Sequence, residues 1–233
     1  MSFDFAHIWT SMGSLGKAIA FVLFAMAVSF IGVTIERLIA FWRSAKESRA
    51  FAGQAGKFLE EWKVDEIVEL STKYPNSALA KLFGPIIRRY IHAFEDLGAG
   101  GLSPVQLARN EAERRREAVG EDLRRGMNVV ATVGSIAPFV GLLGTVVGII
   151  GAFQGIGSAG NAGIGAVMGG ISEALVETAF GLMVAIPAVI VFNYLNARIS
   201  TIETALGRSA GELLDELENH QGRAGGKSER HAA

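Results

Sequence analysis

The sequence predicts an all-α membrane protein with three transmembrane helices and long helical extensions outside the bilayer. Three observations predict it. The stretch Gly126–Ala197 contains no Lys, Arg or Asp, and its only carboxylates are Glu173 and Glu177. That stretch divides into two apolar segments, each longer than the roughly 20 residues a helix needs to cross a bilayer. A third apolar run, Ala18–Trp42, lies upstream. With 50% hydrophobic residues and a mean hydropathy of +0.33, the chain is too apolar for an ordinary soluble domain and too charged to lie wholly in a membrane.

In chain order the expected elements are an external segment (1–16), a first transmembrane helix (17–42), a cytoplasmic helical loop (43–127), a second transmembrane helix (128–153), a periplasmic loop (154–165), a third transmembrane helix (166–195), a cytoplasmic C-terminal helix (196–220) and a disordered tail (221–233). The first apolar run lacks a small-residue cleavage site and continues into Glu36 and Arg37, so it reads as a retained span rather than a signal peptide. Charge sets the orientation. Residues 43–127 hold 15 of the 22 Lys and Arg residues, the stretch after Leu195 holds five more, and the 154–165 loop holds none. Cytoplasmic flanks are enriched in Lys and Arg, so the N-terminus is expected outside and the C-terminus inside.

The polar loop reads as helices. Glu60–Leu70 is a short amphipathic piece, broken by Tyr74-Pro75-Asn76-Ser77. Ala78–Leu97 follows at helical spacing, and Gly98–Gly101 ends it. Ser103-Pro104-Val105-Gln106 has the form of a capping box with Pro at the first helical position. Glu111–Arg115 and Glu121–Arg125 are favourable i,i+4 pairs. With only Gly126 in between, this helix is expected to run on into the second span. The third span is expected to continue outward through Ile199, Ile202, Leu206, Leu213 and Leu217, while the Gly-rich polar tail is expected to be disordered.

Several function classes find no support. A net charge of −1 argues against nucleic acid, and the absence of cysteine excludes disulfides and thiolate metal sites. Residues 155–160 match GxGxxG, but an apolar span rather than a strand precedes them, so an external turn is expected there. The four histidines show no zinc-binding spacing, and no nucleophilic triad is in view. Neither an enzyme nor a cofactor is expected.

The membrane segments carry more. Gly141, Gly144 and Gly148 form small-residue stripes that let helices approach closely. Pro138 and Pro187 release the carbonyls of Gly134 and Met183, which at membrane depth must find partners or line a wet cavity. The Thr145 hydroxyl has the Gly141 carbonyl within reach. Glu173 and Glu177 lie one turn apart, roughly 6 Å along the axis. Thr178 sits with Ala174, Gly181 and Ala185 on an adjoining small-residue face. If the span starts near Ala166, Glu177 is about 16 Å deep; if it starts near Ile171, Glu173 is interfacial. Intramembrane carboxylates mark a functional site by default. The plainer alternative is a pair of hydrogen bonds across a helix interface. Spans two and three hold no cation, so a counter-charge must come from span one, another chain or water.

Residues 134–149, GSIAPFVGLLGTVVGI, resemble the second transmembrane segment of the ExbB/TolQ proton-channel family. Residues 170–182, GISEALVETAFGL, with Ala185-Ile186-Pro187-Ala188 and Asn193, resemble its third, and Glu36-Arg37-Leu38 is similar to the end of its first. The resemblance implies a homopentamer in the inner membrane of a Gram-negative cell, with a central pore lined by spans two and three. It implies a single-span partner of the ExbD/TolR type that brings an intramembrane Asp. It also implies that proton flow drives a periplasm-spanning effector of the TonB/TolA or motility type. By the same resemblance Thr145 and Thr178 match pore-lining threonines and Glu173 matches the pore glutamate. Three spans place the chain nearer the ExbB/TolQ branch than the four-span MotA stators. One position departs: where the family generally has a small residue before the second threonine, this chain has Glu177. From a different class, a helical scaffold that assembles partners without conducting ions would also use the glycine stripes. A secondary transporter is disfavoured by three spans without an internal repeat.

Overall fold

The structure is a computed structural model of the chain. It describes the backbone of residues 13–95, 101–159 and 163–231, with side chains described at 13–95, 101–154 and 167–223. The described residues form six helices: α1 (Ser14–Glu60), α2 (Val64–Lys73), α3 (Ala78–Glu95), α4 (Pro104–Arg124), α5 (Met127–Ala159) and α6 (Gly163–His231). Three of them, α1, α5 and α6, are long and apolar enough to cross a membrane. The fold is all-helical and that of a multi-pass membrane protein. The chain divides into two compact units, Met1–Glu36 with Gly126–Asn196, and Arg37–Arg125 with Ala197–Ala233.

The first unit is apolar and built on small residues. Ile19 and Leu23 of α1 pack with Ala137 of α5 and Ala185 of α6. Further along, Phe30 packs with Val130, Val133 and Ala188. The numbers rise on α1 and α6 while they fall on α5, so α5 runs antiparallel to both. Large apolar side chains such as Phe21, Phe24, Phe139, Phe153 and Ile190 point outward, the inverse of a water-soluble domain and the arrangement a lipid solvent permits.

The second unit is built like a water-soluble helical domain. Phe51, Ile67, Leu82, Ile86, Ile87, Leu213 and Leu217 are fully buried. Phe51 meets Tyr74 and Phe83 edge to face, at ring-centre distances of 6.3 and 6.0 Å. Ser103 caps α4 in a complete capping box: its hydroxyl accepts from the Gln106 backbone N–H at 3.2 Å, and the Ser103 N–H donates back to the Gln106 side chain at 3.1 Å. Glu111 pairs with Arg115 at 2.7 Å. On α6, Ile199, Leu206, Leu213 and Leu217 are buried at the expected helical spacing.

The structure corrects several sequence expectations. Gly126 takes φ +76°, so α4 stops at Arg124 and α5 starts afresh at Met127; the expected continuous helix is broken. A side chain at Gly126 would also meet a Val33 methyl at 2.9 Å. Arg125 is the C-cap of α4, where the chain leaves the helix at ψ 130°, and it makes no ion pair with Glu121; its neighbour Arg124 binds Glu203 at 2.8 Å. The piece Glu60–Leu70 is interrupted at 61–63. There the Lys63 N–H donates to the Phe58 carbonyl at 2.7 Å and the Trp62 N–H to Leu59 at 3.1 Å, with Trp62 at φ 54°. These bonds make a Schellman stop with Trp in the left-handed position usually given to Gly, and the indole stacks on His220 at 3.5 Å.

The tail and the 154–165 loop also differ. The backbone is helical through His231, and α5 extends to Ala159 with α6 beginning at Gly163. Propagating an existing helix gains a hydrogen bond for each residue fixed, whereas nucleation carries the cost, so scattered glycines do not stop either helix. Residues 155–159, expected in an external turn, therefore continue α5. Residues 160–162, most of the N-terminal segment and Gly98–Gly100 lie outside the described residues.

Candidate functional site in the membrane helices

The α5–α6 contact has one register throughout. A side chain at Gly134 would meet Val189, one at Gly148 would meet Ala174 at 2.9 Å, and one at Gly170 would meet Ala152 at 2.7 Å. In the middle, Gly141 and Gly181 face each other: a Cβ on Gly181 would lie 2.7 Å from the Ala137 carbonyl oxygen and 3.0 Å from the Gly141 Cα. The stripe through Gly141, Gly144 and Gly148 is thus the surface on which α6 lies, with Gly181 its counterpart. Pro138 and Pro187 both stand inside continuous helices.

This close approach positions the polar groups. Thr178 donates from its hydroxyl to the Gly141 carbonyl at 3.0 Å, joining the two helices. Thr145 donates at 2.7 Å to the Leu142 carbonyl in its own helix, not to Gly141 as the sequence had suggested; Gly141 is taken by Thr178.

Glu177 is buried, with 3% of its surface exposed. It lies against Gly144: any Cβ at that position would collide with Glu177 Oε2 and would lie 2.8 Å from its Cβ and Cδ. Oε2 has no hydrogen-bond partner among the described residues. Glu173 is half-buried one turn away. It accepts a hydrogen bond from the Gly13 backbone N–H and feels the Lys17 ammonium. The counter-charge missing from spans two and three is therefore supplied, for Glu173, by the first turn of α1. Both glutamates open into one cleft of about 830 Å³, whose walls include Ser14, Gly16, Gly151 and Gly170.

The structure thus brings Glu173 and Glu177 together in the cleft and ties Thr178 to the glycine contact, while Thr145 does not line the cleft. Two features escaped the sequence reading: the notch that Gly144 makes for Glu177, and the approach of Gly13 and Lys17 to Glu173. Both join residues far apart in the chain. The one local signal was the unusual carboxylate at Glu177 itself.

Residues 83–207, more than half of the chain, match the family model described as the MotA/TolQ/ExbB proton channel family. The chain belongs to this family. Among its relatives, the biopolymer transport protein ExbB of Salmonella typhimurium is 45% identical over 102 residues, 44% of this chain and 42% of that protein. The ExbB of Xanthomonas campestris is 45% identical over 123 residues, 51% of this chain and 49% of the relative. That of Neisseria gonorrhoeae is 44% identical over 109 residues, 46% and 50%. The chain spans about half the length of the relatives it matches. The matched family segment includes α5, the membrane part of α6 and all ten residues of the predicted pore and packing set, but not α1.

Proposed function

We propose that this protein is the ExbB-type subunit of a motor driven by the proton-motive force in the inner membrane. Five copies surround the helices of an ExbD/TolR-like partner, whose intramembrane Asp carries protons through the pore. The motion is passed to a periplasm-spanning effector of the TonB/TolA or motility type. The N-terminus is periplasmic, and the polar helices of residues 43–127 and 196–220 are cytoplasmic. Thr145, Glu173, Glu177 and Thr178 form the proton pathway, while Pro138, Gly141, Gly144, Gly148, Gly181 and Pro187 shape and pack the helices that carry it. Family membership supports this reading. The observation that carries it to the residue level is a buried carboxylate beside a second one in a cleft of a helix pair whose membrane segments, residues 128–153 and 166–195, hold no Lys or Arg. Such groups are retained in membranes where ions or protons pass.

The test is proton flux in proteoliposomes containing this chain and its single-span partner. Glu173→Gln keeps size and hydrogen bonding but cannot ionise. It is expected to lower partner-dependent flux by on the order of 10²-fold, the low end of what a positioned proton-transfer group contributes, with the oligomer intact by native mass spectrometry. Full flux in this variant would remove Glu173 from the proton pathway, and an unaltered chain that with its partner conducts no protons would return the protein to the scaffold class.

A further inference from the structure

The geometry points to a proton-binding site at Glu177, inside each protomer, entered through the cleft beside the first turn of α1 and seated in the notch left by Gly144. It rests on the proton-channel reading and adds to it a site outside the family pattern, which has a small residue here. The glutamate is almost wholly buried, yet one carboxylate oxygen has no partner. Burying an ionised carboxylate without a partner is costly, whereas a carboxyl that alternates between O–H and O⁻ as a proton arrives and leaves needs only a path to water. The cleft supplies that path, since Glu177 is part of its wall.

The seat is made for this side chain. Gly144 is the only residue type that leaves room for Oε2, so the glycine and the carboxyl form one fitted pair. The surroundings favour a proton over a metal ion. The Thr178 hydroxyl is already directed to Gly141. Among the described residues no group of three or more acidic or histidine side chains could hold a metal. The charged groups around Glu177 are few: α6 brings Glu173, α1 brings Lys17, which acts on Glu173, and α5 brings no ionisable side chain. In the binding step an O–H bond of a hydronium ion in the cleft breaks and an O–H bond at Glu177 forms, leaving water. Release is the reverse, and no redox partner is required. With Glu173 one turn away, the two carboxyls titrate as a coupled pair.

The probe is dicyclohexylcarbodiimide, an apolar reagent that adds to protonated carboxyls, applied to the full chain in proteoliposomes and mapped by peptide mass spectrometry. A stable adduct is expected at Glu177, falling by up to roughly tenfold per pH unit on the alkaline limb, as a protonation equilibrium requires. Glu177→Gln should abolish it. Gly144→Ala, which fills the notch, should reduce it several-fold at pH 7, and the adduct on the unaltered chain keeps the test valid if that variant does not fold. Absence of the adduct at every pH, an adduct insensitive to pH, or protection by Na⁺ at constant pH would each overturn the site. If the adduct forms but the unaltered chain with its partner conducts no protons, the motor reading fails and the site stands. If flux falls in Glu173→Gln while Glu177 stays unlabelled, the site alone fails.

Discussion

The membrane unit holds its helices together through glycine and alanine, whereas the second unit uses phenylalanine, leucine and isoleucine. At Gly141 and Gly181 the backbones themselves touch; around Phe51 and Leu82 large side chains fill the space between helices that stay further apart. The difference follows from the solvent. Lipid gives no hydrophobic reward for hiding a leucine, so close backbone packing and a shared hydrogen bond must supply the contact. In water each buried apolar side chain contributes roughly 1.5–3 kcal/mol. Phe21, Phe24, Phe139 and Phe153 therefore point outward in one unit, while Phe51, Ile67 and Leu82 point inward in the other.

The largest effect that would test this contrast lies in the second unit. Phe51 is fully buried with two aromatic neighbours. Phe51→Ala is expected to cost about 3–5 kcal/mol, from lost transfer energy and the cavity left behind, read as a drop in thermal or urea midpoint. A loss within 1 kcal/mol, on the order of a surface substitution, would mean that this unit has no conventional core.

In the membrane unit the sensitive substitution adds an atom instead of removing several. A methyl group at Gly181 meets a backbone carbonyl that cannot swing aside, so Gly181→Ala should destabilise by about 1–3 kcal/mol. Gly151 has open space around its missing Cβ. Gly151→Ala should be neutral or gain up to about 1 kcal/mol from helix propensity. Equal thermal stability of the two variants in detergent would break the argument that backbone contact holds these helices.

The smallest effect concerns a surface ion pair of the second unit. Lys81 hydrogen-bonds Asp122 at 2.7 Å, with both side chains about half exposed. The ammonium contact, aided by Arg37 and Arg125, holds the Asp122 carboxyl below its usual range despite partial burial. A carboxyl lowered on folding stabilises the folded state above its unfolded pKa, near 4, and loses that contribution as pH falls through its folded value. Lys81→Met should therefore cost less than about 1 kcal/mol near pH 7, and the gap to the parent should close as pH falls through the lowered Asp122 value. A gap unchanged at low pH would assign the effect to packing of the lysine stem.

What the sequence revealed and concealed follows the range of each interaction. The apolar spans, the Ser103 cap and the Ile199–Leu217 stripe are written in neighbouring residues, so their signals survive without a structure. The break at Gly126 was visible as a glycine but not as a stop, because a lone glycine is tolerated within helices and only its φ and the nearby Val33 decide. Trp62 gave no warning, since its left-handed backbone is held by a stack with a residue 158 positions away. The site behaved similarly. Both carboxylates were marked by type and spacing and both threonines by the family resemblance, but the partner of each was not. Gly144 against Glu177 and Gly141 against Thr178 arise only when two helices meet in one register.

The threonine bonds carry one more consequence. A hydroxyl has a single hydrogen to give and two lone pairs with which to receive. Thr178 has committed its hydrogen to Gly141 and Thr145 has committed its own to Leu142. Toward any third group both oxygens are now receivers only. They can accept a hydrogen from a neighbouring donor, and they offer none to a carboxylate. The helix backbone has thus given these two side chains a fixed polarity: each is an acceptor toward whatever lies beside it.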